Sequence, residues 1–481
     1  MVMHRVRATS YVRRTLSQPM NKRRATAALA PHEEAGVIGG STELPEGANI
    51  LGSIAAPNRQ LHLGLLADGG SSSRLREMGT GTIEEEGTEG GLSDAAFSFT
   101  FKEDIARLKE ICFTKTQLLL FFAPLGLWSQ LGGLPVIFVF IFNFAALIPL
   151  SALLGAFTEE LSLHTGEITG GLLNATFGNA VEMIMSVQAL RIGLLEVVQG
   201  TLLGSILSNL LLVLGMSFFA GGLRHYVQKF NEKGATCSVT LLLLSCMGIV
   251  IPTVAAVDNG MHGTYDILMI SRITALLIGL TYCLFLFFQL YTHIGLFKDD
   301  ADETEDWPMM SWEGATTMLF VVTVLVAIHS EFLVSSIETV VADYGLPESF
   351  IGVILLPIVG NAAEHLTAVT VAMKNKVDLA MGVAVGSSAQ IALFVFPFTV
   401  LVAWAMGQPL TMAVQPLSAV VMLLSVLVAM AVVQDGESNW LEGVMLIAAY
   451  FIISVVFWFD RPGTKAALSP SSQSNSIQGN N

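Results

Sequence analysis

The chain has 481 residues, of which 53% are hydrophobic and only 13% charged, with a mean hydropathy of +0.64. A soluble chain carries roughly 25% charged residues, so this composition, with its long apolar runs, excludes an ordinary soluble globular protein and puts the chain in lipid. The net charge of −15 resides in tails and loops, and no nucleic-acid partner is expected.

Residues 1–100 are rich in Gly, Ser, Thr and Glu without sustained periodicity, and read as a disordered cytosolic tail. Its first 24 residues hold seven Lys/Arg and no acid; a transit peptide is the alternative, while the apolar core of a signal peptide is lacking. Residues 101–131 supply a short amphipathic helix (FKEDIARLKEIC) and a first span interrupted by Pro124.

Apolar runs cover about 117–131, 134–155, 168–190, 200–222, 237–257, 270–291, 314–337, 349–373, 378–404, 412–433 and 440–459. A helical span needs about 20 residues, and an open strand cannot satisfy its backbone in lipid. The expectation is an all-α polytopic membrane protein of about eleven spans. Lys/Arg in short loops set orientation. Arg224, Lys229 and Lys233, then Lys374 and Lys376, fall on the cytosolic side if the N-terminus is cytosolic. Arg191 and Arg461 fall on the other side and disagree weakly. Residues 298–312 form a linker in which six of the eight residues 299–306 are acidic, either solvated or cation-attracting. Residues 463–481 read as a disordered C-terminal tail. Cys112, Cys237, Cys246 and Cys283 show no metal-ligand spacing and read as small buried hydrophobes.

One offset, 182 residues, aligns two parts of the chain. Gly178, Asn179, Ala180 and Glu182 match Gly360, Asn361, Ala362 and Glu364, and Gly200, Gly204 and Ser205 match Gly382, Gly386 and Ser387. Five spans separate the partners, an odd number, so the copies have opposite topology. Residues 132–297 (spans 2–6) and 313–462 (spans 7–11) are then inverted repeats, whose substrate sites lie near the midplane where the halves meet.

The repeated motifs are FGNAVEMIMS (177–186) and VGNAAEHLTAV (359–369). Asn179 and Glu182 share one helix face at a spacing of three, as do Asn361, Glu364 and His365 at three and four. A carboxylate inside an apolar run is expensive and usually functional. Two of them suit a hard divalent cation: calcium takes about six to eight oxygens, and Glu182, Glu364, Asn179 and Asn361 are its expected ligands. Ser205, Ser208, Ser387 and Gln390 are candidates to complete the shell, with helix packing by small polar residues as the alternative. The same oxygens bind protons well, because desolvation and like-charge repulsion disfavour the ionised pair. His365 is a candidate proton-coupling group. Glu159, Glu160 and Glu338 are candidate access or relay carboxylates.

At these residues the sequence resembles the cation/proton exchanger family, specifically its vacuolar calcium/proton exchangers. LLNATFGNAVEMIMS, GSILSNLLLVLG, LLPIVGNAAEHLTAV and GSSAQIALFVFP carry the likeness. The resemblance implies eleven spans, an acidic segment between spans 6 and 7, ion binding by the two Gly-Asn-x-x-Glu helices and a vacuole-like membrane. With the inverted repeat and the paired carboxylates, the expectation is a secondary active transporter and no enzyme, with Ca²⁺ and H⁺ as cargo, no cofactor, membrane lipid around it and a homo-oligomer as an option. A manganese/proton and a sodium/calcium exchanger are the alternatives; Asn179, Asn361 and His365 argue against the second.

Overall fold

The computed structural model describes residues 104–111, 116–258, 263–296 and 308–460. The expected N-terminal tail, the acidic run 299–306, Cys112 and the C-terminal tail lie outside them. Residues 104–111 are helical (α1). There follow α2 (Leu118–Leu131), α3 (Val136–Thr165), α4 (Glu167–Phe177), α5 (Ala180–Ile192), α6 (Leu195–Gly222), α7 (Glu232–Val257) and α8 (Tyr265–Thr292). The second half holds α9 (Trp312–Tyr344), α10 (Glu348–Gly360), α11 (Ala362–Met373), α12 (Val377–Ala405), α13 (Pro416–Val433) and α14 (Trp440–Phe459).

All eleven apolar runs are helical. Among the described residues, eight helices are long and apolar enough to cross a membrane, nine if α10 and α11, bent by 57°, are one span. The other two runs are α2, which is short, and the pair α4–α5, of 11 and 13 residues. The elements pair at the 182-residue offset: α3 with α9, α4–α5 with α10–α11, α6 with α12, and so on to α8 with α14.

Local chemistry sets the helix starts. Asn231 and Ser311 accept from the backbone N–H of Gly234 and Gly314 at the heads of α7 and α9. Asn439 and Glu442 form a reciprocal capping box at α14. Pro416 opens α13, where a missing N–H costs nothing.

Side-chain and backbone contacts sort the connections to two ends of the bundle. At one end a two-residue strand β1 (Gln228–Lys229) pairs antiparallel with β2 (Glu437–Ser438). Gln228 donates to Asn375 Oδ1 at 2.9 Å beside it. At the other end Gln199 donates to the Thr411 and Ala413 carbonyls at 2.9 Å each, and Ser349 to the Asp460 carbonyl at 3.1 Å. The turns bearing Lys229 and Lys374 thus share an end, as the charge pattern requires. The three described cysteines are free, but only Cys246 is fully buried; Cys283 is exposed on the outer face of α8.

Candidate ion-binding site

Each repeat is broken at its motif. Gly178 and Asn179 form a turn between α4 and α5, with Asn179 at φ −108°, ψ 21°; Asn361 separates α10 from α11 at φ −92°, ψ 10°. Neither Asn side chain caps the helix it precedes. Glu182 and Glu364 therefore stand in the first turns of new helices, where the helix dipole favours negative charge. Broken helices of this kind present both half-helix ends to a bound ion.

The asparagines reach across the repeats. Asn179 Nδ2 donates to Gln390 Oε1 at 2.9 Å, and Asn361 Nδ2 donates to the Ser205 carbonyl at 3.3 Å. With each amide nitrogen held by the protein, its oxygen is the end left to meet a cation. Ser387 Oγ donates to Glu364 Oε1 at 2.8 Å. His365 Nε2 lies 3.2 Å from Ser208 Oγ. Six of the expected residues are thereby linked in three pairs across the repeats, Asn179–Gln390, Asn361–Ser205 and His365–Ser208, while Ser387 and Glu364 belong to the same repeat.

Glu182 is 2% exposed, whereas Glu364 is half-buried. The two carboxylates lie within electrostatic reach of one another. Each has a buried Oε2 with no hydrogen-bond partner. A buried acceptor left bare costs about 1–3 kcal/mol, more when charged, so these two oxygens call for a cation or a proton. Ser205 Oγ is likewise buried and bare.

Sequence reasoning missed Asn209. It is fully buried, lies beside the Glu364 carboxyl, and completes no hydrogen bond through either amide atom by strict geometry. Its place in GSILSNLLLVLG was the available signal. Its counterpart at the 182-residue offset is Ile391, so the repeat logic passed over it.

The remaining candidates lie away from this centre. Glu160, 5% exposed, is bound by Arg107 at 3.0 Å and accepts from the backbone N–H of Met309 and Met310 at 3.0 and 3.2 Å. Beside it Asp104 accepts from Ser311 N at 2.7 Å. Together these fasten α1 to the end of α3 and the head of α9. Glu159 is exposed on the same turn as Glu160. Glu338 is exposed near the far end of α9.

The packing around the centre is lopsided. On one side Gly204 lies against the Val353 carbonyl and Pro357, and a β-carbon at Gly200 would stand 3.4 Å from Gly352 Cα. At the matched positions a β-carbon added to Gly382 or Gly386 would meet no neighbouring atom within 4 Å among the described residues. The α6–α10 seam is closed while its counterpart along α12 is open.

The model of the sodium/calcium exchanger protein family matches residues 135–291 and 314–459, the two repeats. The chain belongs to this family. A vacuolar calcium ion transporter of Schizosaccharomyces pombe is 42% identical over 350 residues, 71% of this chain and 84% of the relative. A Ca²⁺/H⁺ antiporter of Aphanothece halophytica is 43% identical over 358 residues, 71% of this chain and 95% of the relative. Among solved structures of similar proteins, native YfkE is 38% identical, with a TM-score of 0.63 over 71% of this chain and 99% of that one. The H⁺/Ca²⁺ exchanger CAX shares the fold at 11% identity, with a TM-score of 0.55 over 71% of this chain and 91% of that one. Each matched segment of this chain contains one of its two broken helix pairs with the Asn and Glu described above.

Proposed function

We propose that the chain is a secondary active antiporter that exchanges cytosolic Ca²⁺ for lumenal H⁺ across the membrane of a vacuole-like acidic store. The observation that carries this reading is the pair of bare buried carboxylate oxygens, Glu182 Oε2 and Glu364 Oε2, one from each repeat. Two carboxylates, two amide oxygens and nearby hydroxyls make an all-oxygen donor set, which suits a hard divalent cation. The same two carboxylates hold protons when calcium leaves, since neither oxygen is satisfied empty. Calcium and protons compete for the same atoms, and that competition couples their fluxes. The names of the relatives from fission yeast and Aphanothece halophytica support calcium and proton as the exchanged pair.

All eleven helical runs cross the membrane in this reading, with the N-terminus and the end bearing Lys229, Lys374 and Glu160 in the cytosol. The closed α6–α10 seam then faces the lumen, and the half-buried Glu364 side faces the cytosol, a state poised to load calcium. Asn179, Asn361 and Asn209 act as amide ligands, Ser387 and Ser208 position Glu364 and His365, and Gln390 positions Asn179. Glu160 acts as a fastening of α1 in this arrangement.

Energetically the exchange is sufficient. One pH unit is worth about 1.4 kcal/mol per proton, and a tenfold calcium gradient opposes it by about the same amount. Two protons per calcium across about two pH units support roughly a 10⁴-fold gradient. The test is uptake of radioactive calcium into vesicles bearing an imposed pH gradient, with and without a protonophore. Uptake that ignores the protonophore and follows sodium would overturn the proton coupling. Manganese competing as well as calcium would move the cargo to Mn²⁺.

A further inference from the structure

A small cleft of about 20 Å³ opens at the end of the bundle opposite Lys229, lined by Glu196, Glu348, Gln199, Gln415 and Ser418. Three connections build it: the turn into α6, the turn into α10, and the segment between α12 and α13. Its floor is Gly200, Leu203 and Val353, the upper edge of the closed α6–α10 seam. One helical turn below Gly200 lies Gly204 on Val353 and Pro357, and three residues past Pro357 lies Gly360 against Glu182. The cleft and the ion site are the two ends of one seam.

The chemistry of the lining is one-sided. Glu196 and Glu338 both lie within electrostatic reach of Glu348, and no lysine, arginine or histidine lines the cleft. Gln415 Nε2 donates to Glu196 Oε2 at 3.3 Å. That bond fixes the carboxamide, and its oxygen, buried and lining the cleft, has no hydrogen-bond partner. Ser418 is 6% exposed and also lines the cleft. Two carboxylates, of which Glu196 receives the Gln415 N–H, with an unpartnered amide oxygen and a hydroxyl make an all-oxygen set of the kind a hard divalent cation takes. The other polar side chains of the lining are spent: Gln199 in α6 on two carbonyls and Ser349 in α10 on Asp460.

We propose that this cleft binds a second divalent cation, a waystation that calcium occupies on leaving the transport site when the α6–α10 seam parts. The proposal rests on the antiporter reading for the identity of the ion and for the direction of travel. Glu338, exposed at the rim, adds negative charge to the approach. With only two carboxylates to hold the ion, its affinity is low, as release requires.

Equilibrium dialysis of the purified full chain against radioactive calcium tests it, by comparing the number of ions bound at saturation. Glu196→Gln with Glu348→Gln keeps the shape and the Gln415 contact while removing both charges, and should lower the number by one. Glu182→Gln with Glu364→Gln should lower it by one independently, and the four changes together by two. A wild-type number in the cleft variant overturns the waystation. A wild-type number in the Glu182/Glu364 variant overturns the transport-site reading instead, so the two failures are distinct. Gln415→Leu removes the unpartnered oxygen, and with it the N–H that Glu196 receives, while keeping both charges; it should weaken the low-affinity site roughly tenfold, about 1.4 kcal/mol, and an unchanged isotherm in that folded variant also counts against the cleft.

Discussion

Gly360 lies directly against the Glu182 carboxylate: a β-carbon on Gly360 would collide with Glu182 Oε1. The last residue of α10 in one repeat thus sets where the carboxylate of the other repeat stands. Gly360→Ala should displace Glu182 and cut calcium uptake at least about tenfold, since an ångström of misplacement at a site is costly, while the inserted protein keeps its melting temperature within a few degrees. Uptake rates and thermal melts on the same preparation check this. Normal uptake would mean that Glu182 has room the structure does not show.

The open and closed glycines make a second prediction. Gly200 and Gly204 are covered by α10, whereas Gly382 and Gly386 face open space. Inverted repeats exchange such roles as the transporter turns over, so α12 closes at Gly382 and Gly386 in the opposite state. Gly386→Val should fold normally, because nothing is displaced, yet block turnover. Transport at the wild-type rate would show that α12 never closes there.

Asn209 is buried beside the Glu364 carboxyl, its amide completing no well-aligned hydrogen bond. Asn209→Leu removes polar groups whose burial costs about 1–3 kcal/mol. The variant should melt at the same temperature or higher while calcium uptake falls by about tenfold or more. A fall in melting temperature with uptake intact would assign Asn209 to structure alone.

Glu160 offers the reverse pattern. Its oxygens are taken by Arg107, Met309 and Met310. Removing one partner of a buried ion pair costs about 3–5 kcal/mol, and this pair, with Arg107 partly open to solvent, should fall below that. Glu160→Ala should lower the melting temperature but leave the calcium KM of surviving protein within about twofold. A raised KM with unchanged stability would restore Glu160 to the ion path.

The centre of the site was legible in the sequence because the repeat marks it. Gly-Asn-x-x-Glu at matched positions named Asn179, Glu182, Asn361 and Glu364, and the structure breaks its helices at both asparagines. Features without a repeat counterpart were not legible. Asn209 corresponds to Ile391. His329 Nδ1 lies 2.7 Å from Asn143 Oδ1, both fully buried, where α9 meets α3; their counterparts are Leu147 and Leu325. The Glu160 clamp joins residues 53, 149 and 150 positions apart, a distance no local pattern spans. The apolar runs also understate α3 and α9, whose polar ends at Glu159–Thr165 and Glu338–Tyr344 continue the helices past the hydrophobic core.

In the proposed exchange Glu182 and Glu364 together hold one calcium or its exchanging protons. Calcium uptake into proteoliposomes with an acidic interior, for wild type, Glu182→Gln and Glu364→Gln, tests it most directly. Each substitution keeps the side-chain shape and removes one charge from a site that needs both. The expected result is uptake in the wild type that collapses with the pH gradient, and none in either variant despite normal insertion. Near-normal, gradient-driven uptake by either variant would contradict the shared site.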